Sequence, residues 1–274
     1  MMLGIDVDAD VYKALSARRS SAGEAMNDVL RTLLNLGASN AASTSLGRAK
    51  LPIGPTNTQP RQAPKTNGSL GRIAVLGATG SIGGKIVEEA LSRGIAVTAI
   101  ARDPAKLKGR DGLAIKAGDA NEPGSLAQAC EGADVLVVSV KWPGIDSGKL
   151  LDGIRKTGVK RAIFVLGTGT SVREDGRRQF VHAAETAGVP VPASVPAMRV
   201  LDTLAGSSGF DWTAVTCPQE IASGDRTAAF RVGDARMIVD QNGTSRISEQ
   251  DFAVAIIDEL ADPHFIRLQF CVAY

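Results

Sequence analysis

Tyrosine and histidine are scarce in this 274-residue chain, two of each, beside two tryptophans and three cysteines; aromatic residues make up only 4% of the whole. The cysteines, Cys130, Cys217 and Cys271, lie far apart, with no Cys-x-x-Cys pair and no histidine cluster. That pattern excludes a disulfide framework and a zinc site, and leaves buried thiols in a reducing compartment as the expectation. No apolar run approaches the roughly 18 residues of a membrane span, and MMLGIDVDAD carries acids where a signal peptide carries a basic region and then an apolar one. A cytoplasmic protein without membrane partners or a metal is expected.

What is present suits a globular protein: 44% hydrophobic and 22% charged residues, enough for one large domain plus something small. The formal charge of +2 is unevenly spread. Residues 1–37 hold four basic side chains (Lys13, Arg18, Arg19, Arg31) against five acids (Asp6, Asp8, Asp10, Glu24, Asp28). Residues 38–71 are rich in Ala, Ser, Asn, Gly, Pro and Thr and hold Arg48, Lys50, Arg61 and Lys65 with no acid. They predict a flexible linker, its cations either incidental or grazing an acidic partner.

Within residues 1–37, Ile5 and Val7 alternate with Asp6 and Asp8, the period of a short half-buried strand. Two helices are predicted after it. The second has Ser21 and Glu24 at capping-box spacing, an apolar stripe of Val29, Leu30, Leu33 and Leu34, and Gly37 as its stop. So short a strand-helix-helix unit seldom folds alone, so a homodimer or higher oligomer through residues 1–37 is expected. IDVDADVYKALSARRSSAGEAMNDVLRTLL resembles a ribbon-helix-helix module, above all the SeqA type of oligomerisation region. DNA readout by such a dimer needs polar or basic strand residues, and Asp6 and Asp8 would repel phosphates. Oligomerisation without DNA is the favoured role.

From residue 72, RIAVLGATGSIGGKIVEEALSRGIAVTAIARD runs from an apolar stretch through a glycine turn and an amphipathic helix into another apolar stretch, a βαβ unit. Further strands are predicted at LAIKAG, ADVLVVSV, RAIFVLG and FDWTAVTC, alternating with helices at EPGSLAQACEG and KLLDGIRKTG. The class is α/β, a doubly wound parallel sheet.

A dinucleotide's two phosphates are well held by a helix N-terminus, whose free amides and dipole face the anion. Gly77 lets the chain turn, Gly80 clears room for the pyrophosphate, Gly83 lets the helix pack close to the sheet, and Thr79, Ser81 and the Ile82 amide complete the cradle. The spacing is GxxGxxG, which resembles the short-chain and extended dehydrogenase/reductase superfamily; the alternative is a plain strand-to-helix corner. An NAD site would carry an acid after the second strand, but Arg102 stands there, with Lys106 one helical turn on. A guanidinium can fork onto a 2′-phosphate, so NADP(H) is expected over NAD(H), unless Arg102 is merely exposed and Asp103 merely caps the next helix. Asp119, with Ala120 in AGDANEP, is placed for the adenine amino group, for capping the helix near Glu122, or for both.

VLGATGSIGGKIVEEAL, ARDPAKLKG, KAGDANEPGSLAQACEGADVLVVSV and GVKRAIFVLGTG resemble the atypical NAD(P)H-binding proteins related to NmrA-like regulators and to proteins provisionally named NADH-flavin reductases. The likeness continues through FDWTAVTCPQEIASGDRT, SRISEQDFAVAIIDEL and FIRLQFCVAY. It implies a Rossmann-type sheet of about seven strands over residues 72–274, a smaller C-terminal lobe closing a substrate cleft, and flavin as a substrate. The superfamily's Tyr-x-x-x-Lys pair is missing: Tyr12 and Tyr274 have no lysine four positions later.

Without that pair, hydride transfer to a flavin or quinone can still proceed, the proton coming from water. Ser139 and Trp142, after the fourth strand, and Thr168, Thr170 and Ser171, after the fifth, are the candidates at the nicotinamide end. The hydroxyls either steady a carbonyl oxygen or stabilise a turn. Trp142 either stacks on a planar ring or packs against a loop. His182, with Glu185 nearby, is either a proton carrier or a surface histidine. Three readings follow: an NADPH-dependent reductase of a small planar acceptor, an NADP(H)-sensing regulator, and a non-catalytic scaffold.

Overall fold

The computed structural model describes residues 70–173, 175–179 and 194–274. The expected ribbon-helix-helix unit, nearly all of the linker, and His182 with Glu185 lie outside the described residues.

The described elements run β1 (Ile73–Leu76), α1 (Ser81–Ser92), β2 (Val97–Ala101), β3 (Leu113–Ala117), α2 (Pro123–Ala129), β4 (Val135–Val138), α3 (Ser147–Thr157), β5 (Arg161–Leu166), α4 (Ser194–Ala205), β6 (Asp211–Thr216), β7 (Glu220–Ala222), β8 (Arg231–Gly233), β9 (Arg246–Ser248), α5 (Glu249–Ala261) and β10 (Gln269–Ala273). β1, β4 and β5 are buried along their whole length, as strands covered on both faces must be, and therefore read as unbroken apolar runs. Alternate residues feed two cores. Ile73 and Val75 pack with Ile86 and Val87 of α1 and Phe252 and Ile256 of α5, while Ala74 and Leu76 pack with Leu126 of α2, Leu150 of α3 and Leu201 of α4.

The main sheet has the order β3-β2-β1-β4-β5-β6-β10-β8. Every pairing is parallel except that of β8 with β10. The expectation of about seven strands, all parallel, is thus corrected to eight with one antiparallel edge, plus a separate β7–β9 pair. The three-residue strands β7, β8 and β9 are too short to show a period-2 pattern, and their partners are distant in sequence. From β1 the chain builds outward through β2 and β3, then returns to β4 on the other side. The crevice at that reversal, outside the strands' carboxyl ends, is where an open α/β sheet binds ligands.

The buried acids of helix α5 all have partners. Ser248 caps it, accepting from the Asp251 amide at 3.0 Å. Asp251 accepts from Thr227 Oγ1 (2.5 Å), the Ala228 amide (2.7 Å) and the Tyr274 hydroxyl (2.9 Å). Glu259 bonds Arg161 of β5 at 2.8 Å, and Asp258 bonds Arg93 at 2.7 Å. Arg226 reaches Glu89 of α1 with two bonds, 2.7 and 2.8 Å.

Candidate cofactor and acceptor site

The turn after β1 is shaped by contacts that only glycine permits. Gly77 has φ +89°, and a Cβ there would stand 2.1 Å from the Ser139 carbonyl oxygen at the end of β4. A Cβ on Gly83 would stand 2.2 Å from the Gly77 oxygen, so the first turn of α1 lies directly on the corner. The Gly77 amide is held by Ile100 O at 3.0 Å, and the Gly80 amide by Gly77 O at 3.0 Å. Gly80 is the N-cap of α1, with φ −75° and ψ 162°; no side chain caps the helix and no acid sits in its first turn. The amides of Ser81, Ile82 and Gly83 therefore lack an intrahelical acceptor, and the exposed residues Thr79, Gly80 and Ser81 leave them open to an anion. Free amides at the positive end of a helix dipole suit an anion.

Around it, the other residues expected at the cofactor lie at the carboxyl ends of neighbouring strands. Arg102 is exposed immediately after β2. Lys106, also exposed, ends a 3-10 turn (Pro104–Lys106) and lies 3.5 Å from Asp103. Asp103 occupies the N-cap position of that turn without a side-chain capping bond, so its expected capping role is not the one observed. Asp119 accepts from the Asn121 amide at 2.8 Å, while Glu122 is the N-cap of α2. Asp119 thus shapes the loop before the helix and does not cap it. Ala120 is buried, and Ser139 is half-buried beside Gly77.

The expected catalytic hydroxyls turn inward. Thr168–Thr170 form a 3-10 turn at the end of β5. Thr170 is 0% and Ser171 1% exposed; their hydroxyls donate to Gly167 O and Thr168 O, both at 2.8 Å. Thr168, half-buried, donates to Cys217 O at 3.0 Å and Pro218 O at 2.5 Å, tying the turn to the end of β6. Of the two roles left open for these side chains, turn stabilisation is the geometry observed. Trp142 is likewise buried, its indole N–H donating to Val165 O at 2.8 Å, which is the packing role. Cys130 and Cys271 are buried and Cys217 partly so; burial pushes the Cys130 and Cys217 thiols up to about 12.

A cavity of about 400 Å³ is lined by Glu220, Ala222, Thr227, Arg246, Ser248 and Tyr274. Tyr274 follows β10, which runs parallel to β6, so this lining residue stands at the carboxyl ends of the parallel strands, as Gly77 and Thr168 do. Glu220 on its rim is two residues from Pro218, which Thr168 bonds. Sequence reasoning missed this lining, because β7, β9 and the chain's last residue meet only through the fold.

The profile of a family described as NAD(P)H-binding matches residues 77–263, beginning on the first glycine of the turn. The chain belongs to this NAD(P)H-binding family. A Bacillus subtilis protein of the same likeness, the uncharacterized YwnB, is 28% identical over 210 residues, which are 73% of this chain and 97% of that protein. A solved structure from Bacteroides thetaiotaomicron, provisionally named an epimerase, is 31% identical with a TM-score of 0.68, covering 75% of this chain and 97% of its own. A Streptococcus pneumoniae structure, provisionally named an NADH-flavin reductase, shares the fold at 24% identity and a TM-score of 0.62, covering 74% and 98%. Among the described residues no helix is long and apolar enough to cross a membrane, and no cluster of potential metal ligands is present.

Proposed function

We propose that residues 72–274 form an NADPH-dependent reductase that passes hydride to a small planar acceptor such as a flavin or quinone. The open, uncapped N-terminus of α1 over Gly77 and Gly83 carries the reading, since among the described residues no side chain caps it and no acid sits in its first turn. In it, Thr79, Gly80, Ser81, Ile82 and Gly83 hold the pyrophosphate, and Asp119 and Ala120 border the adenine. Arg102, aided by Lys106, meets the 2′-phosphate and favours NADP(H) over NAD(H). The cofactor, when bound, supplies the hydride.

Ser139 and the Thr168–Ser171 backbone position the nicotinamide end and exclude water from it, while the inward hydroxyls fix that backbone. The 400 Å³ cavity lined by Glu220 and Tyr274 receives the acceptor, whose proton comes from water, since no Tyr-x-x-x-Lys pair exists. The Streptococcus pneumoniae likeness supports a flavin as that acceptor. Residues 1–37 serve as the dimerisation unit, in a cytoplasmic protein.

The buried hydroxyls also favour a second reading, an NADP(H)-sensing regulator or scaffold without turnover. NADPH consumption with FMN, FAD and quinones, beside titrations with NADPH and NADH, separates the two. Turnover on any acceptor that Gly80→Asp abolishes establishes the reductase; tight NADPH binding with no turnover on any of them establishes the sensor.

A further inference from the structure

Arg178 belongs to no motif, yet it is among the largest fully buried side chains, 1% exposed. Its Nη1 donates to the Thr170 carbonyl at 2.5 Å and to Gln269 Oε1 at 2.6 Å, while its buried Nε has no partner. Gln269 in turn donates to Thr170 O (2.9 Å) and Thr216 Oγ1 (2.7 Å), and the two threonine hydroxyls share a bond of 3.0 Å. Every acceptor that the described residues offer the guanidinium is thus neutral. Among the described residues it joins no ion pair: Asp202 acts on it only through space, the Cys271 thiol is held protonated by burial, and Asp234 is bound to Arg236 at 2.6 Å. Burial pushes Arg178 down to about 10, so it is still a cation at neutral pH.

A buried charge ordinarily has an opposite charge beside it, because desolvation is expensive. This one lies beneath the Thr168–Thr170 turn, at the carboxyl end of β5, where the nicotinamide end of a dinucleotide lies in a doubly wound fold. The nicotinamide ring is a cation when oxidised and neutral when reduced. We propose that Arg178 determines which oxidation state the site prefers: its charge, which no ion pair among the described residues neutralises, disfavours NADP⁺ relative to NADPH, so the cofactor leaves readily once it has given up hydride. The inference rests on the NADP(H) reading above. The same field would stabilise negative charge arriving on an acceptor.

The test is a pair of titrations, NADPH and NADP⁺, on the full-length protein and three variants, read as the ratio of the two Kd values. Gln269→Glu places a carboxylate on the guanidinium at unchanged side-chain shape, Arg178→Met removes the charge, and Arg178→Lys keeps it. A unit charge acting at about 10 Å through an effective dielectric of about 20 changes the ratio roughly tenfold. The preference for NADPH should therefore fall roughly tenfold in Gln269→Glu and Arg178→Met and persist in Arg178→Lys, whereas a purely structural Arg178 would weaken both nucleotides alike. A ratio unchanged within about twofold in Gln269→Glu overturns the proposal, and that variant decides the matter if thermal melts show Arg178→Met unfolded. Failure of the parent protein to bind either nucleotide overturns the cofactor reading together with this one, whereas binding of both with a ratio insensitive to Gln269→Glu overturns this one alone.

Discussion

Replacing Gly80 by aspartate should separate holding a nucleotide from holding the fold. Gly80 is the N-cap of α1 with φ −75° and ψ 162°, a backbone any residue adopts. Aspartate is a better N-cap than glycine by a few tenths of a kcal/mol, and its charge at the positive end of the helix adds about 0.3 to 1 kcal/mol. Against this, its Cβ would stand 3.3 Å from Gly77 O, a contact relieved by a shift of a few tenths of an ångström. Net stability should be unchanged or up to about 1 kcal/mol higher. The new carboxylate, however, occupies the amides proposed for the pyrophosphate, and like charges about 4 Å apart at an effective dielectric of about 20 repel by about 4 kcal/mol, roughly a thousandfold in Kd. Isothermal titration with NADPH and thermal unfolding in parallel read the two effects. Gly83→Ala is the contrast: its Cβ would meet backbone at 2.2 and 2.9 Å, so it should destabilise the fold by about 1 to 3 kcal/mol. Binding of NADPH by Gly80→Asp within about threefold of the parent would refute the cradle as the phosphate site.

Arg102→Glu should weaken NADPH by about ten- to a hundredfold and leave NADH within a fewfold, since one charged hydrogen bond contributes about 1.5 to 3 kcal/mol; equal losses for both nucleotides in a titration would remove Arg102 from the 2′-phosphate. Burial alone would raise the Glu89 carboxyl, but Arg226 and Arg93 outweigh it and hold the group below its ordinary value. Its contribution is therefore complete above about pH 4.3 and lost as pH falls through the lower folded value. Glu89→Gln should accordingly cost about 2 kcal/mol in denaturant unfolding at pH 7 and much less near pH 3, and a deficit equal at both pH values would show that packing, not charge, is at stake. Leu33→Asp, on the apolar stripe of the N-terminal unit, should shift the full-length chain from dimer to monomer in sedimentation without changing the Kd for NADPH; a parent that is already monomeric defeats the dimerisation proposal.

The βαβ unit and its corner were legible in the sequence because their causes are local. An apolar run such as Ile73–Leu76 is buried on both faces, and the spacing of Gly77, Gly80 and Gly83 follows from one turn and one helix start. Arg102 was legible for the same reason, as the residue that follows the next strand. Hydroxyl direction was not. Thr170 sits in the expected loop, but its Oγ1 is also engaged by Gln269 and Thr216, 99 and 46 residues further along. The short strands β7, β8 and β9 likewise carry no period of their own: β8 forms against β10, which returns beside β6, and β7 and β9 form against each other.

Local chemistry along the chain thus determined the fold class, the glycine cradle and the positive residue beside it, since each needs only neighbours within a turn or two. Tertiary structure alone decided the antiparallel edge strand, the cavity around Tyr274, and the burial of Arg178 among neutral partners. Those features arise where segments remote in sequence are brought together, and no spacing rule records what a side chain will meet there.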